Sequence, residues 1–124
     1  MQTVKDLYQT ARLKFPDISQ RADELHFNQW GTLDVDLSYS WFESLANALN
    51  HEMSKERPYE NHKALFDFMD QALSNASVEI YQCIDVAFVE NLFWQVPSKK
   101  CASYWNSIPQ ALRRLYIDFH HREP

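Results

Sequence analysis

A chain of 124 residues that is 45% hydrophobic is long enough to bury one core without a disulfide framework. Its net charge of −5, from 17 acidic against 12 basic residues, argues against nucleic-acid binding, which needs clustered Lys and Arg. Its single glycine, Gly31, excludes Gly-rich phosphate loops and disfavours tight hairpins, which leaves helices joined by short polar turns.

Val4, Leu7, Tyr8, Ala11 and Phe15 recur at helical spacing and predict a first helix over 3–15. Pro16 ends it, because the residue before a proline leaves the α region. A second helix starts at Asp17 or Ser19, turns Ile18, Ala22 and Leu25 inward and ends near Gly31. In 32–37, Leu33, Val35 and Leu37 alternate with Asp34 and Asp36, so a short strand and an extended helix entry both remain open. A third helix spans 36–53, with Trp41, Phe42, Leu45, Leu49 and Met53 on its apolar half and Ser40, Glu43, Ser44, Asn47 and Asn50 on its polar half. After a break at 54–58, with Pro58 near the next first turn, a fourth helix covers 59–73 around Leu65, Phe66, Phe68 and Met69.

Residues 78–96 carry apolar side chains nearly all round a helical wheel, the mark of a helix covered on most sides. Glu79, Asp85 and Glu90 argue against a lipid span. The expected central helix covers about 76–95, capped by Ser74 or Asn75 and closed by Pro97-Ser98-Lys99-Lys100, with the cations at its negative end. A last helix follows Ser107 as cap and Pro109 in the first turn, with Ala111, Leu112, Leu115, Tyr116 and Phe119 inward. The expected fold is an all-α single domain over 1–124. Five to six antiparallel helices form a bundle, or a short armadillo/HEAT-like stack, around the central apolar helix.

His26, His51, His62, His120 and His121 show no metal-ligand spacing, and no catalytic residue, metal or cofactor is expected. His120-His121 reads as a frayed helix end. Cys83, among apolar neighbours, reads as a reduced core thiol, with a Cys83–Cys101 bridge as the alternative. The N-terminal residues lack an apolar targeting stretch, so a cytoplasmic location and no membrane partner are expected.

Charge is segregated along the chain. Glu60, Asp67, Asp70, Glu79, Asp85 and Glu90 face only Lys63, whereas Lys99, Lys100, Arg113, Arg114 and Arg122 follow against Asp118. These are either ordinary solvated helix faces or an acidic docking surface. Asp85 falls inside the apolar arc. It is either paired internally with Arg113, Arg114 or Lys100, or placed at an exposed groove for a partner's cation. Trp30, Trp94, Tyr104 and Trp105 lie near helix ends, as core residues or as interface anchors. The partner-binding candidates are Asp67, Asp70, Glu79, Asp85, Glu90 and Trp94.

The segments Leu65-Phe66-Asp67-Phe68-Met69-Asp70, Val86-Ala87-Phe88-Val89-Glu90-Asn91-Leu92 and Tyr104-Trp105 resemble, in order and spacing, a family of small all-helical bacterial immunity proteins. That family has an armadillo/HEAT-like arrangement and belongs to contact-dependent inhibition and polymorphic toxin systems. The resemblance implies a cytoplasmic, non-enzymatic inhibitor that binds a cognate toxin domain, often a nuclease. Such a toxin is basic at its phosphate-holding site, which suits an acidic docking surface. The alternative is a helical adaptor or regulatory module unrelated to toxins. An enzyme would need a pocket of convergent titratable groups, and no such cluster is legible in the sequence.

Overall fold

Thr3 opens the first helix by a reciprocal cap. Its hydroxyl accepts the Asp6 amide at 3.1 Å, and the Asp6 carboxylate accepts the Thr3 amide at 3.3 Å. A computed structural model describes residues 1–124, and every one of its regular elements is helical. Helix α1 covers Val4–Lys14, and α2 covers Pro16–Trp30 with Pro16 in its first turn. Gly31 closes α2 in the left-handed conformation, φ 73°, which a side chain would strain.

The alternation at 32–37 does not become a strand. The Asp34 carboxylate accepts the Asp36 amide at 2.9 Å and starts a 3-10 turn, Val35–Leu37, that feeds α3 at Ser38–Ser54. A lone alternating segment has no neighbouring edge to pair with, so local capping decides its conformation.

Helix α3 is the enclosed element of the fold, packed by α1, α2, α6 and the 83–91 segment. Ser44 and Asn50, expected on its solvent half, are buried together with Trp41, Phe42, Leu45 and Leu49. The central position expected for 76–95 therefore belongs to α3.

The 76–95 helix is also shorter and less regular than its wheel implied. After a 3-10 turn at Tyr59–Asn61 and α4 at Lys63–Ser74, α5 covers only Val78–Gln82, and Ser77, not Ser74 or Asn75, caps it. The winding then widens into a π turn over Cys83–Phe88, where the Val89 amide reaches the Ile84 carbonyl five residues back. It tightens again to a 3-10 turn at Val89–Asn91. This change of pitch breaks the phase of a uniform wheel. Val86 and Trp94, and also Val78 and Tyr81 in α5, are exposed, not covered.

Two amide side chains end the helix. Asn91 donates back to the Ala87 carbonyl at 2.8 Å. Asn50 donates to the Asn91 carbonyl at 2.8 Å and accepts the Phe93 amide at 2.7 Å. They take the backbone groups that a continuing helix would have used. Phe93 and Gln95 then adopt left-handed conformations, φ 68° and 57°. The Phe93 ring drops between Trp105 and Tyr116, with centroids at 5.7 and 5.4 Å.

Pro97 does not close that helix. It precedes α6, Ser98–Trp105, so Lys99 and Lys100 lie in the first turn of a new helix. Lys100 crosses to the far end of α3 and donates to the Ser54 carbonyl at 2.9 Å, where a cation complements the negative helix end.

Helix α7 covers Gln110–His120 after Pro109. Ser107 bonds back to the Ser103 carbonyl and does not cap α7. Phe119, expected inward, is 53% exposed. His120 is held rather than frayed: it stacks on Tyr116 at 4.1 Å and sits 3.2 Å from the Glu90 carbonyl.

The fold thus has seven α-helices where five or six were expected, around one cluster of 31 buried apolar residues. Tyr104 and Trp105 belong to that cluster, and Tyr104 donates to the Arg57 carbonyl at 3.0 Å. Cys83 and Cys101 are both free and buried. No helix is long and apolar enough to cross a membrane.

Candidate docking face

The six candidate contact residues do not form one surface set. Glu79 accepts the Val4 amide at 2.6 Å, satisfying an orphan donor at the start of α1. Asp67 is paired one turn back with Lys63 at 2.7 Å, and Asp70 lies one turn further along α4. Trp94 stands exposed on the turn after the 3-10 segment, beside the C-terminal half of α3. Asp85 and Glu90 remain together on the segment of changing pitch.

No cation reaches Asp85. The chain's ion pairs are Arg12–Asp23, Arg21–Glu24, Arg57–Glu52, His62–Glu52 and Lys63–Asp67. Lys100 is committed to Ser54, and the Arg113 Nε is buried without a partner. Of the two readings open for Asp85, internal pairing is therefore the one the geometry removes.

Around Asp85 the packing gathers carboxylates from three elements. Partial burial raises the Asp85 pKa above the usual carboxylate range, and the charge of Asp118 on α7 raises it further. Burial and then the Asp85 charge raise Glu90. Burial alone raises Glu43 on α3. Tyr39, one turn before Glu43, is raised first by burial and further by the charges of Glu90, Glu43 and Asp85 among others. Its hydroxyl lies 3.5 Å from the Gln82 carbonyl.

The result is a face of Glu43, Asp85, Glu90 and Asp118 with exposed Tyr39, Val86 and Phe119 as chain neighbours. The π turn places Asp85, and the docking of α7 on the 83–91 segment brings Asp118 to it. Sequence reasoning missed Glu43 and Asp118. Glu43 lies on the polar side of a separate helix, and Asp118 falls inside a mostly basic block. Glu43, Asp85 and Glu90, partly desolvated and without a counterion, are what a cationic partner would relieve.

Other chemistry is sparsely provided. Burial pushes the Cys83 thiol up to about 12 and raises Cys101 as well, so both stay protonated and unreactive near neutral pH. His62 Nε2 lies 3.0 Å from Glu52 beside a cleft of about 460 Å³, but no Ser, Thr or Cys lines that cleft to serve as nucleophile. No three of the His, Cys, Asp and Glu side chains converge as a metal-ligand set.

No curated protein and no solved structure matches the chain. A family model described as a domain of unknown function, DUF7674, matches residues 8–122, from the middle of α1 to just beyond α7. The match takes in nearly every element described above, including all contributors to the carboxylate face, and the chain belongs to the DUF7674 family.

Proposed function

We propose that this protein is a non-enzymatic docking module whose acidic face, built from Glu43, Asp85, Glu90 and Asp118, binds a cationic protein surface. The observation that carries this reading is the absence of any ion pair to the partly buried Glu43, Asp85 and Glu90, in a chain whose partly buried Asp23 and Glu52 do find partners. Asp23 shows the contrast: it is bonded to Arg12 and also accepts the Trp41 indole N–H at 2.8 Å.

The partner we propose is a toxin domain that the protein neutralises in the cytoplasm by covering a basic active site. Support for that identity is the resemblance of residues 65–70, 86–92 and 104–105 to the helical immunity proteins. The acidic net charge adds to it, since a nuclease site is cationic and long-range attraction speeds encounter. Co-expression with any toxin-domain protein that a neighbouring gene encodes tests the reading. A stable complex that abolishes the toxin's activity is the expected result. Two soluble proteins that elute apart, with toxicity unchanged, would refute it.

A further inference from the structure

A second site lies where the strained turn after the 83–91 segment meets α2 and α3. Gln29 of α2, Ser44, Asn47 and His51 of α3, and Trp94 and Gln95 of the turn line a cavity of about 280 Å³. None of Glu43, Asp85, Glu90 or Asp118 lines it, and neither does any Lys or Arg.

Three observations make this a built cavity. Ser44 is only 2% exposed yet lines the cavity. Trp94 is 60% exposed at the cavity, between two residues with positive φ, Phe93 and Gln95. Backbone strain of this kind persists only where surrounding structure enforces it, and it concentrates at functional sites. The enforcing residue is Asn50, whose bonds to Asn91 and Phe93 fix the turn from below.

The lining chemistry is specific. Amides and hydroxyls both donate and accept, which suits a ligand whose own groups do the same. Without a fixed charge on the walls, a charged ligand would gain nothing over water. An exposed indole beside them offers a flat apolar surface to a ring with an apolar C–H face. We infer that this cavity binds one neutral sugar ring, stacked on Trp94 with its hydroxyls met by Gln29, Ser44, Asn47 and Gln95. The volume is near the lower end for small-molecule sites and suits a single hexose unit.

The test is a titration of the isotopically labelled protein with glucose, galactose, mannose and N-acetylglucosamine, each as free sugar and as trisaccharide, followed by amide and indole N–H signals. Saturable shifts confined to the Trp94 indole and the Gln29, Asn47 and Gln95 side-chain amides are expected with at least one of them. Tighter binding of the trisaccharide assigns the site to a glycan, and equal binding assigns it to the free sugar. Trp94→Ala, at an exposed position, should weaken binding about tenfold or more. Gln95→Gly, which keeps the left-handed backbone while removing the amide, should weaken it several-fold with the fold intact. No saturable shift with any of these sugars, or shifts unchanged in Trp94→Ala, would overturn the proposal.

Discussion

Asn50 accepts the Phe93 amide at 2.7 Å while donating to the Asn91 carbonyl at 2.8 Å, so one buried side chain on α3 ends the 83–91 helix and fixes the turn beyond it. Replacing it by alanine leaves a buried backbone donor and acceptor unmet. Each such group costs about 1–3 kcal/mol. Asn50→Ala should therefore lose about 2–4 kcal/mol in urea unfolding. A loss under about 0.5 kcal/mol would mean that the turn is held by the Phe93 ring alone.

The strain at Gln95 gives a second prediction. Its φ of 57° is costly for a branched side chain and free for glycine. Gln95→Val should destabilise by about 1–2 kcal/mol, whereas Gln95→Gly should stay within about 0.5 kcal/mol of the parent. Equal stability of the two variants would show that the left-handed conformation is relaxed without cost.

Asp85 lets the sign of a pH effect be worked out. Its pKa in the folded protein is raised above 3.8 by burial and by Asp118, so the native state holds its proton more tightly than the unfolded chain. The penalty for ionising Asp85 in the folded state is absent below 3.8, grows as pH rises toward the raised value, and is fully present above it. Asp85→Asn should thus raise Tm at pH 7 by about 1–2 °C, a small gain because solvent screens the site. The gain should vanish as pH falls below 3.8. An Asn variant that is less stable at neutral pH would reveal a cation at Asp85.

Much of the architecture is legible in the sequence, because α1, α2 and α7 each carry one apolar stripe with a cap or proline at an end, and α4 carries a stripe of its own. What failed was the wheel drawn for 76–95, which assumes a constant angle per residue. The π turn over Cys83–Phe88 violates that assumption, and the end of the segment is set by Asn50, 41 residues away from Asn91 in sequence. The same non-locality hid the docking face. Glu43, Asp85 and Asp118 sit on three different elements, and only the packing of α3 and α7 against one segment unites them. Asp67 and Glu79 have internal contacts that their own segments do not announce: Lys63 pairs with Asp67 along α4, and the Val4 amide reaches Glu79 through the docking of α1.

Asp67 supplies the control for the docking face. Its exposed pair with Lys63 is one helical turn long and screened by solvent, so it should contribute little to stability. Asp67→Asn should lower stability only slightly and leave partner binding unaltered. A large loss of binding would move the interface onto α4.

The association rate with the proposed toxin-domain partner, measured by stopped flow for the parent and for Asp85→Lys/Asp118→Lys at low and high salt, is the most direct test. The expected result is a fall of about tenfold or more at low salt, with the difference shrinking as salt is added and thermal stability little changed. An identical rate for the two proteins at low salt would contradict the docking face outright.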